Sequence, residues 1–536
     1  MNRMDKLDEI SHYVGTASSC LVKILQKPFK DDILYFLLLW CINSLSSLYI
    51  YFKSATKYAL YIALLYYILT YIIVCLLDIN KYIEKIFKPL LFFSLYIFNL
   101  MNIYCIQRYN CRISMIIEII KGTNIREIQE YFTTYFTTQH IIVIFIFISL
   151  GFFLSFIAVR FQYNTPRIIR HFLQGVLLLA IIAIWHNPMT IKDELATNRW
   201  LVHIDQIINL EKHLTHPNVN ISTSYPPPQL PQYVVVIIGE SFAPSHSSLY
   251  GYKKNTNPLL NNLVDSGNLI VYDRITSPKT NTTDAFKYIL NAYRLGMEKE
   301  CKWYDTTSLI EVMSAVDYYT VWLSNQEANG IYNNLPSGHS RICDEAVFMT
   351  ADSDRNKYDG ALIDIEISSS HKPQAIFYHL MGQHTSFQHR YPKDYNIFKH
   401  SDYQCIESQR ETMAEYDNAT LYNDYVVRSI IDKYKDSDAI VFYFSDHGID
   451  IYDTDPNYFG HARYTPESQS VGRKIPFMVY ISDMYQQLRP ETTERIRKAV
   501  DKEYCTDKFI YAVMDAIGIQ FADNDDVARF SLFNNN

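Results

Sequence analysis

Tyr233-Val-Val-Val-Ile-Ile238 runs into Gly239-Glu240-Ser241, and Ala439-Ile-Val-Phe-Tyr-Phe444 runs into Ser445-Asp446-His447-Gly448. Each is an apolar run of strand length closed by a polar turn, the pattern of a buried strand. Two carboxylates and an imidazole delivered to the carboxyl ends of strands in one α/β sheet form a cage for a divalent metal such as zinc. Either turn alone reads as an ordinary polar cap. Together they read as a site.

Around these two runs, other strand-length apolar stretches at 318–323, 374–380 and 477–481 alternate with helix-like segments. That alternation predicts an α/β domain with a parallel or mixed central sheet covered by helices on both faces, over residues 231–536. Upstream, residues 191–230 are polar and end in Ser224-Tyr-Pro-Pro-Pro-Gln-Leu-Pro231, a stiff, extended linker.

Before residue 190 the composition changes. Hydrophobic residues make up 49% of the 536-residue chain, but they gather in uncharged stretches at 33–52, 58–77, 89–107 and 141–159, with a shorter one at 171–185. A membrane span needs about 20 predominantly apolar residues, so residues 1–190 are expected to form an α-helical membrane domain of five spans. With a cytoplasmic amino terminus, inside segments hold eleven Lys and Arg residues against six outside, so the chain after residue 190 is expected outside. The first thirty residues lack the short apolar core and small-residue cleavage site of a signal peptide, so the first span is expected to direct insertion. A net charge of −7 argues against a nucleic-acid binder. Cys301, Cys343, Cys405 and Cys505 lie in the exported half, where two disulfides of open connectivity could form.

The reacting group beside the metal is sought in Ser277-Pro-Lys-Thr-Asn-Thr-Thr-Asp-Ala285, where three threonines precede a predicted helix. A threonine hydroxyl is a weak nucleophile until a metal stabilises its alkoxide, and the first amides of a helix favour an incoming phosphate. His379, His384 and His461 stand in polar loops after predicted strands or near the Asp446-His447 turn. Histidines there could bind a second metal, hold a phosphoryl oxygen or protonate a leaving group.

The run from Gly239 to Tyr252 with Thr256-Asn-Pro-Leu259 resembles the opening motif of the inner-membrane phosphoethanolamine transferases, members of the alkaline phosphatase and sulfatase superfamily. Further blocks follow in the same order: His379-Leu-Met-Gly-Gln-His384 with Arg390-Tyr-Pro392, Tyr416-Asp-Asn418 with Tyr422-Asn-Asp424, Ser445-Asp-His-Gly448, and His461 followed by Gln469 and Pro476. The resemblance covers nearly the whole chain, including the spans ahead of a periplasmic domain. It implies Glu240, Asp446 and His447 as zinc ligands and Thr282 as nucleophile and fourth ligand, with Thr280 and Thr283 as close competitors. It implies donor binding by Asn325, a phosphoethanolamine pocket lined by His384 and His461, and contributions from Thr123 and Glu127 in the long outward connection. Two departures stand out: Ile119 replaces the asparagine of that last segment, and no cysteine pair flanks the nucleophile, so Pro278 is expected to stiffen its loop.

What the resemblance implies is a monomeric, multi-pass inner-membrane enzyme with its catalytic domain in the periplasm. One tight zinc site is implied, with a weaker second one drawing on the same histidines. Phosphatidylethanolamine is the implied donor, a phosphothreonine-type adduct the intermediate and diacylglycerol the product. The acceptor is a lipid or glycan of the envelope, lipid A or lipopolysaccharide core foremost, with polymyxin resistance following only for lipid A. The rival enzyme is a phosphoglycerol transferase of the lipoteichoic-acid type, against which the Leu-Tyr-Gly-Tyr and Met-Gly-Gln-His blocks argue. A catalytically silent binding or sensing protein is the alternative of another class, and retention of Glu240, Thr282, Asp446 and His447 argues against it.

Overall fold

The computed structural model describes residues 18–54, 56–77, 81–109, 138–161, 163–186, 219–223, 229–326, 335–349, 358–368, 370–461 and 463–534. They divide into two compact units, one of helices up to His186 and one from residue 219 onward. Thr123, Glu127 and Ile119 lie outside the described residues, as does most of the expected linker.

In the first unit, all five apolar stretches are helices: α1 (Ile33–Ser54), α2 (Thr56–Leu77), α3 (Lys81–Tyr109), α4 (Thr138–Arg160) and α5 (Arg167–His186). Among the described residues, Glu84–Tyr104, Ile142–Arg160 and Arg167–Trp185 are long and apolar enough to cross a membrane, whereas Ile33–Ser44 and Ala63–Leu77 are shorter apolar runs. Aromatic packing of Phe29, Phe36, Trp40 and Tyr67 knits α1 to α2. Outward-facing side chains are also apolar, with Phe145 70%, Phe172 69% and Trp185 82% exposed, the reverse of a water-facing helix and the expected face for lipid. Two helix contacts show how polar backbone and bulk are handled there. Ser155 of α4 donates to the Pro89 carbonyl of α3 (3.0 Å), and Gly151 lies so close to the Tyr96 ring that a Cβ would come within 2.6 Å of it. Lys27 and Lys88, counted from sequence among the inside charges, are tied into a ring with Asp32 and Glu84: Lys27–Glu84 2.8 Å, Glu84–Lys88 3.1 Å, Lys88–Asp32 2.9 Å and Asp32–Lys27 3.9 Å.

The second unit is built on a seven-stranded sheet. Its strands are β1 (Tyr233–Gly239), β2 (Leu269–Tyr272), β3 (Tyr319–Ser324), β4 (Glu345–Phe348), β5 (Gln374–His379), β6 (Ala439–Ser445) and β7 (Phe477–Ile481), in the order β2-β7-β6-β1-β5-β3-β4. β7 runs antiparallel to both β2 and β6, while β6, β1, β5, β3 and β4 are mutually parallel, so the sheet is mixed. Successive residues of one strand feed opposite cores: Val234, Val236 and Ile238 join the cluster containing helices α7 (Leu309–Ala315) and α10 (Phe509–Ile517), while Val235 and Ile237 join the one under the long helix α8 (Glu407–Tyr434). Burial on both faces is why the strand sequences are continuously apolar rather than alternating. Two shorter helices border the site, α6 (Thr282–Ala285) and α9 (Pro466–Arg473). The helix expected after the threonines is thus a single turn, too short to supply the amino-terminal anion site anticipated from sequence. Cys301, Cys343, Cys405 and Cys505 are free thiols.

Candidate active site at the carboxyl edge of the sheet

Register brings the first two motifs together. In the parallel β1–β6 pair Gly239 stands opposite Ser445, so the next residue of each strand, Glu240 and Asp446, leaves the sheet at the same level. Ser241 then turns sharply, in a left-handed conformation (φ 55°) that a serine adopts only under constraint. The constraint comes from Tyr416 of α8, whose hydroxyl donates to the Ser241 carbonyl (2.9 Å) and accepts from the Ala243 amide (2.7 Å), and from Ser445 Oγ, which accepts from the Phe242 amide (3.1 Å). On the other side, Gly382 packs against the Glu240 backbone so tightly that a Cβ would lie 2.8 Å from its nitrogen.

Glu240, Asp446 and His447 are fully buried, and their ligand atoms lie within 4.8 Å of one another. His447 Nε2 is 3.1 Å from Glu240 Oε1 and 3.6 Å from Asp446 Oδ2. His447 Nδ1 donates to the Gly448 carbonyl (2.8 Å), which orients the ring so that Nε2 faces the cluster and, once deprotonated, offers its lone pair there. Thr282 joins them: its Oγ1 donates to Glu240 Oε2 (2.9 Å) and lies 3.3 Å from His447 Nε2. Of its competitors, Thr280 accepts through Oγ1 from Gln469 Nε2 (3.2 Å) instead.

These residues fit a dication. The set is two carboxylates, an imidazole and a hydroxyl, all suited to zinc. Among the described residues, Asp446 Oδ2 is buried without a hydrogen-bond partner, as a reserved ligand atom would be. Without a metal the charges conflict. Burial and the neighbouring Glu240 push the Asp446 carboxyl up to about 7. Burial works against charge on His447 too, but Asp446 and Glu240 outweigh it and raise the ring to about 9. Burial likewise opposes Glu240, yet the His447 ring holds its carboxyl well below the usual range. The cluster therefore retains protons that a divalent ion would replace.

The other expected residues are placed less uniformly. The His461 ring stacks 4.4 Å from that of His447, and its Nδ1 donates to the Thr280 carbonyl (2.9 Å); burial and His447 push it down to about 3, so it is neutral. His384 follows the Gly382 turn on a loop gripped by Arg390, which donates to the His384 and Thr385 carbonyls, and its field reaches Glu240 and His461. Asn325 is buried at the end of β3 and donates to Asp359 Oδ1 (2.8 Å), which also accepts from the Met381 amide, while Asp359 Oδ2 accepts from the Gly382 amide. Gln326, which sequence reasoning passed over, reaches the cluster itself, donating to Glu240 Oε2 (3.4 Å). Its only signal was its place directly after Asn325 at a strand end. His379 sits under the cluster against Phe286 and Trp322, and burial holds it down near 4, so it is a neutral core histidine. The loop before Thr282, for which Pro278 was the expected stiffener, is held by hydrogen bonds: Ser277 Oγ donates to the Asp446 carbonyl (2.5 Å), and Arg473 and Gln469 of α9 also bind the loop.

A mixed sheet with a buried carboxylate–histidine cluster and a threonine hydroxyl at its carboxyl edge is the arrangement of the alkaline phosphatase and sulfatase type of fold. The chain belongs to the sulfatase family, whose profile matches residues 232–519. Among curated proteins it is 30% identical over 309 residues to phosphoethanolamine transferase EptC of Escherichia coli O18:K1:H7, covering 55% of this chain and 52% of that one. It is 26% identical over 263 residues to the Kdo(2)-lipid A phosphoethanolamine 7''-transferase of Salmonella typhimurium, covering 47% and 45%. The chain thus spans about half the length of the curated relatives it matches. Among solved structures, the zinc complex of the carboxyl-terminal periplasmic domain of EptC from Escherichia coli matches with TM-score 0.52 and 26% identity over 60% of this chain and 90% of that one. The integral membrane protein lipooligosaccharide phosphoethanolamine transferase A from Neisseria meningitidis matches with TM-score 0.61 over 91% of this chain and 96% of that one; at 15% identity this likeness concerns the fold.

Proposed function

We propose that this protein moves phosphoethanolamine from phosphatidylethanolamine to an envelope acceptor, lipid A or lipopolysaccharide core, through a covalent adduct on Thr282. The observation that carries the reading is the Thr282 hydroxyl, 2.9 Å from Glu240 Oε2 and 3.3 Å from His447 Nε2 in a buried cluster. Zinc held by Glu240, Asp446, His447 and Thr282 would supply the positive charge that favours the threonine alkoxide and offsets charge on the phosphoryl oxygens.

In the first half-reaction Thr282 Oγ1 loses its proton and bonds to phosphorus. The bond from phosphorus to the glycerol oxygen breaks, and that oxygen takes up a proton and leaves as diacylglycerol. In the second, an acceptor oxygen bonds to the same phosphorus, loses its proton and displaces Thr282, which is reprotonated, giving ping-pong kinetics. Glu240 orients the attacking hydroxyl by accepting its hydrogen bond, and the Gly448 carbonyl keeps the His447 ring from rotating. Asn325, His384 and His461, with Thr123 and Glu127 of the outward connection, are assigned to binding donor and acceptor. Residues 1–190 anchor the monomer in the inner membrane, 191–230 link, and 231–536 work in the periplasm, where donor and acceptor are both lipids.

The test incubates detergent-solubilised protein with fluorescent phosphatidylethanolamine and zinc, and follows diacylglycerol release and the intact mass of wild type and Thr282→Ala. Diacylglycerol from wild type and a phosphoethanolamine adduct missing from the variant are expected. Release from phosphatidylglycerol but not from phosphatidylethanolamine would instead identify a phosphoglycerol transferase.

A further inference from the structure

The loop 277–281 that presents Thr282 has no covalent tie, and most of its polar grip comes from one helix. Ser277 is bound on both backbone atoms by Arg473: its amide donates to the Arg473 carbonyl (2.7 Å), and its carbonyl accepts from Arg473 Nε (2.8 Å). Four residues earlier on α9, Gln469 Nε2 donates to Thr280 Oγ1 (3.2 Å) and to the Arg463 carbonyl (3.0 Å). Between them Gly472 lies flat against the loop, where an added Cβ would come 3.1 Å from Thr280 Cγ2.

The same end of α9 touches the metal-type turn. The Gly448 amide donates to the Gly472 carbonyl (2.8 Å), and a Cβ on Gly448 would meet the Lys474 carbonyl at 2.3 Å. One turn of helix therefore touches both segments whose separation sets the distance from Thr282 to His447, residues 165 apart in sequence. Hydrophobic packing does not explain the placement. Among the described residues α9 buries only Ser468 and Gly472 and gives no side chain to any hydrophobic cluster. Its outer anchor is also polar, with Ser468 Oγ donating to Asp450 Oδ2 (3.3 Å). A helix kept in place chiefly by hydrogen bonds, with its bonds spent on the two halves of a site, is placed to hold those halves in register.

We propose that α9 is a polar brace that sets Thr282 against Glu240 and His447, with Gln469 and Arg473 as positioning residues acting through Thr280 and Ser277. The proposal rests on Thr282 being the nucleophile. Without the brace the hydroxyl remains present, and the loss falls on its alignment. A displacement of about 1 Å at a reacting atom costs on the order of 100-fold in rate.

The test compares Gln469→Leu, Thr280→Val and their double variant in the full-length protein. Four readouts are taken: turnover of fluorescent phosphatidylethanolamine, zinc content, melting temperature, and hydrogen exchange of the 277–285 peptide. Each single variant should lower kcat about 10- to 100-fold, with KM within about twofold and zinc content and melting temperature held. The double variant should be no worse than Gln469→Leu alone, because Thr280→Val cuts a bond already lost in that variant, and Thr280→Ser, which keeps the acceptor oxygen, should lose far less. Exchange should quicken in 277–285 and not elsewhere. Wild-type kcat with wild-type exchange in both singles would overturn the brace, as would losses that track zinc content and melting temperature or that multiply in the double variant. A wild type inactive on phosphatidylethanolamine, with loop protection still lost in the variants, would instead overturn the functional reading and leave the brace standing.

Discussion

Raising the pH from 6 to 8 should tighten zinc binding by about 100- to 1000-fold, one proton released per ion giving tenfold per pH unit. The magnitude comes from the protons that the metal-free cluster retains. With His447 raised to about 9, it is protonated across this range and must release that proton to offer Nε2, which accounts for about 100-fold over two units. With Asp446 pushed up to about 7 by burial and Glu240, a second proton leaves over the lower unit and adds up to about tenfold. Stability of the metal-free protein should run the other way. The raised His447 contributes fully below its ordinary 6.5 and its contribution is lost as pH climbs through about 9. The raised Asp446 imposes a cost that grows from 3.8 through about 7. Both slopes are negative, so above about pH 6.5, where the buried neutral histidines no longer weigh on stability, the chelated protein should melt lower as pH rises while the increment from zinc grows. Calorimetric zinc titration against a competing chelator, in two buffers of different ionisation enthalpy, counts the protons directly, and one to two per ion are expected at pH 7. Zinc affinity independent of pH, or a His447→Asn variant releasing as many protons as wild type, would refute the assignment of these residues as ligands.

Three further outcomes follow from other parts of the chain. Because Cys301, Cys343, Cys405 and Cys505 are free thiols, dithiothreitol should shift the melting temperature by less than about 2 °C, whereas losing a native disulfide costs about 2–5 kcal/mol; alkylation of fewer than these four without reductant would contradict it. Burial holds His339 at about 4, so between pH 7 and 5 this residue alone should cost folding about 2 kcal/mol through protonation of the unfolded state, beside the losses from His379 and His461; His339→Met should make that acid limb shallower by this amount, and parallel limbs in the two proteins would reject it. Lys88→Met leaves the buried Asp32 without its 2.9 Å partner and should destabilise the helical unit in detergent by about 3–5 kcal/mol, with Lys88→Met/Asp32→Asn less affected; equal losses would mean the ring is not a coupled unit.

The fold was legible where burial is two-sided. β1, β5, β6 and β7 carry apolar side chains to both cores, so their composition alone marks them, and their ends fall within a residue of expectation. β2 and β4 escaped notice because they sit at the sheet's two edges and are four residues long, so pairing with β7 and β3 defines them rather than their own pattern. The reverse orientation of β7 was hidden because composition marks a strand but not its direction, which only its pairing with β2 and β6 shows. The five apolar helices were visible because no Asp, Glu, Lys or Arg interrupts their apolar stretches, but the ring of Lys27, Glu84, Lys88 and Asp32 was not, since summing charge by segment cannot show which charges meet.

Glu240, Asp446 and His447 could be found from sequence because a parallel register turns two linear motifs into neighbours, and strand ends are visible in a linear reading. What could not be found depends on how loops cross. Thr280, Thr282 and Thr283 are equivalent by composition; the structure separates the first two by what each hydroxyl meets, Gln469 for Thr280 and Glu240 for Thr282. The same holds for Gln326, indistinguishable in sequence from any polar residue after a strand until its amide is seen on Glu240. The turn at Ser241 joins the two levels. A left-handed serine costs about 1–3 kcal/mol and persists only because Tyr416, from a helix far along the chain, holds both sides of it. The strained residue directly follows Glu240, whose carboxylate accepts from Thr282, so local sequence preference yields beside the candidate site.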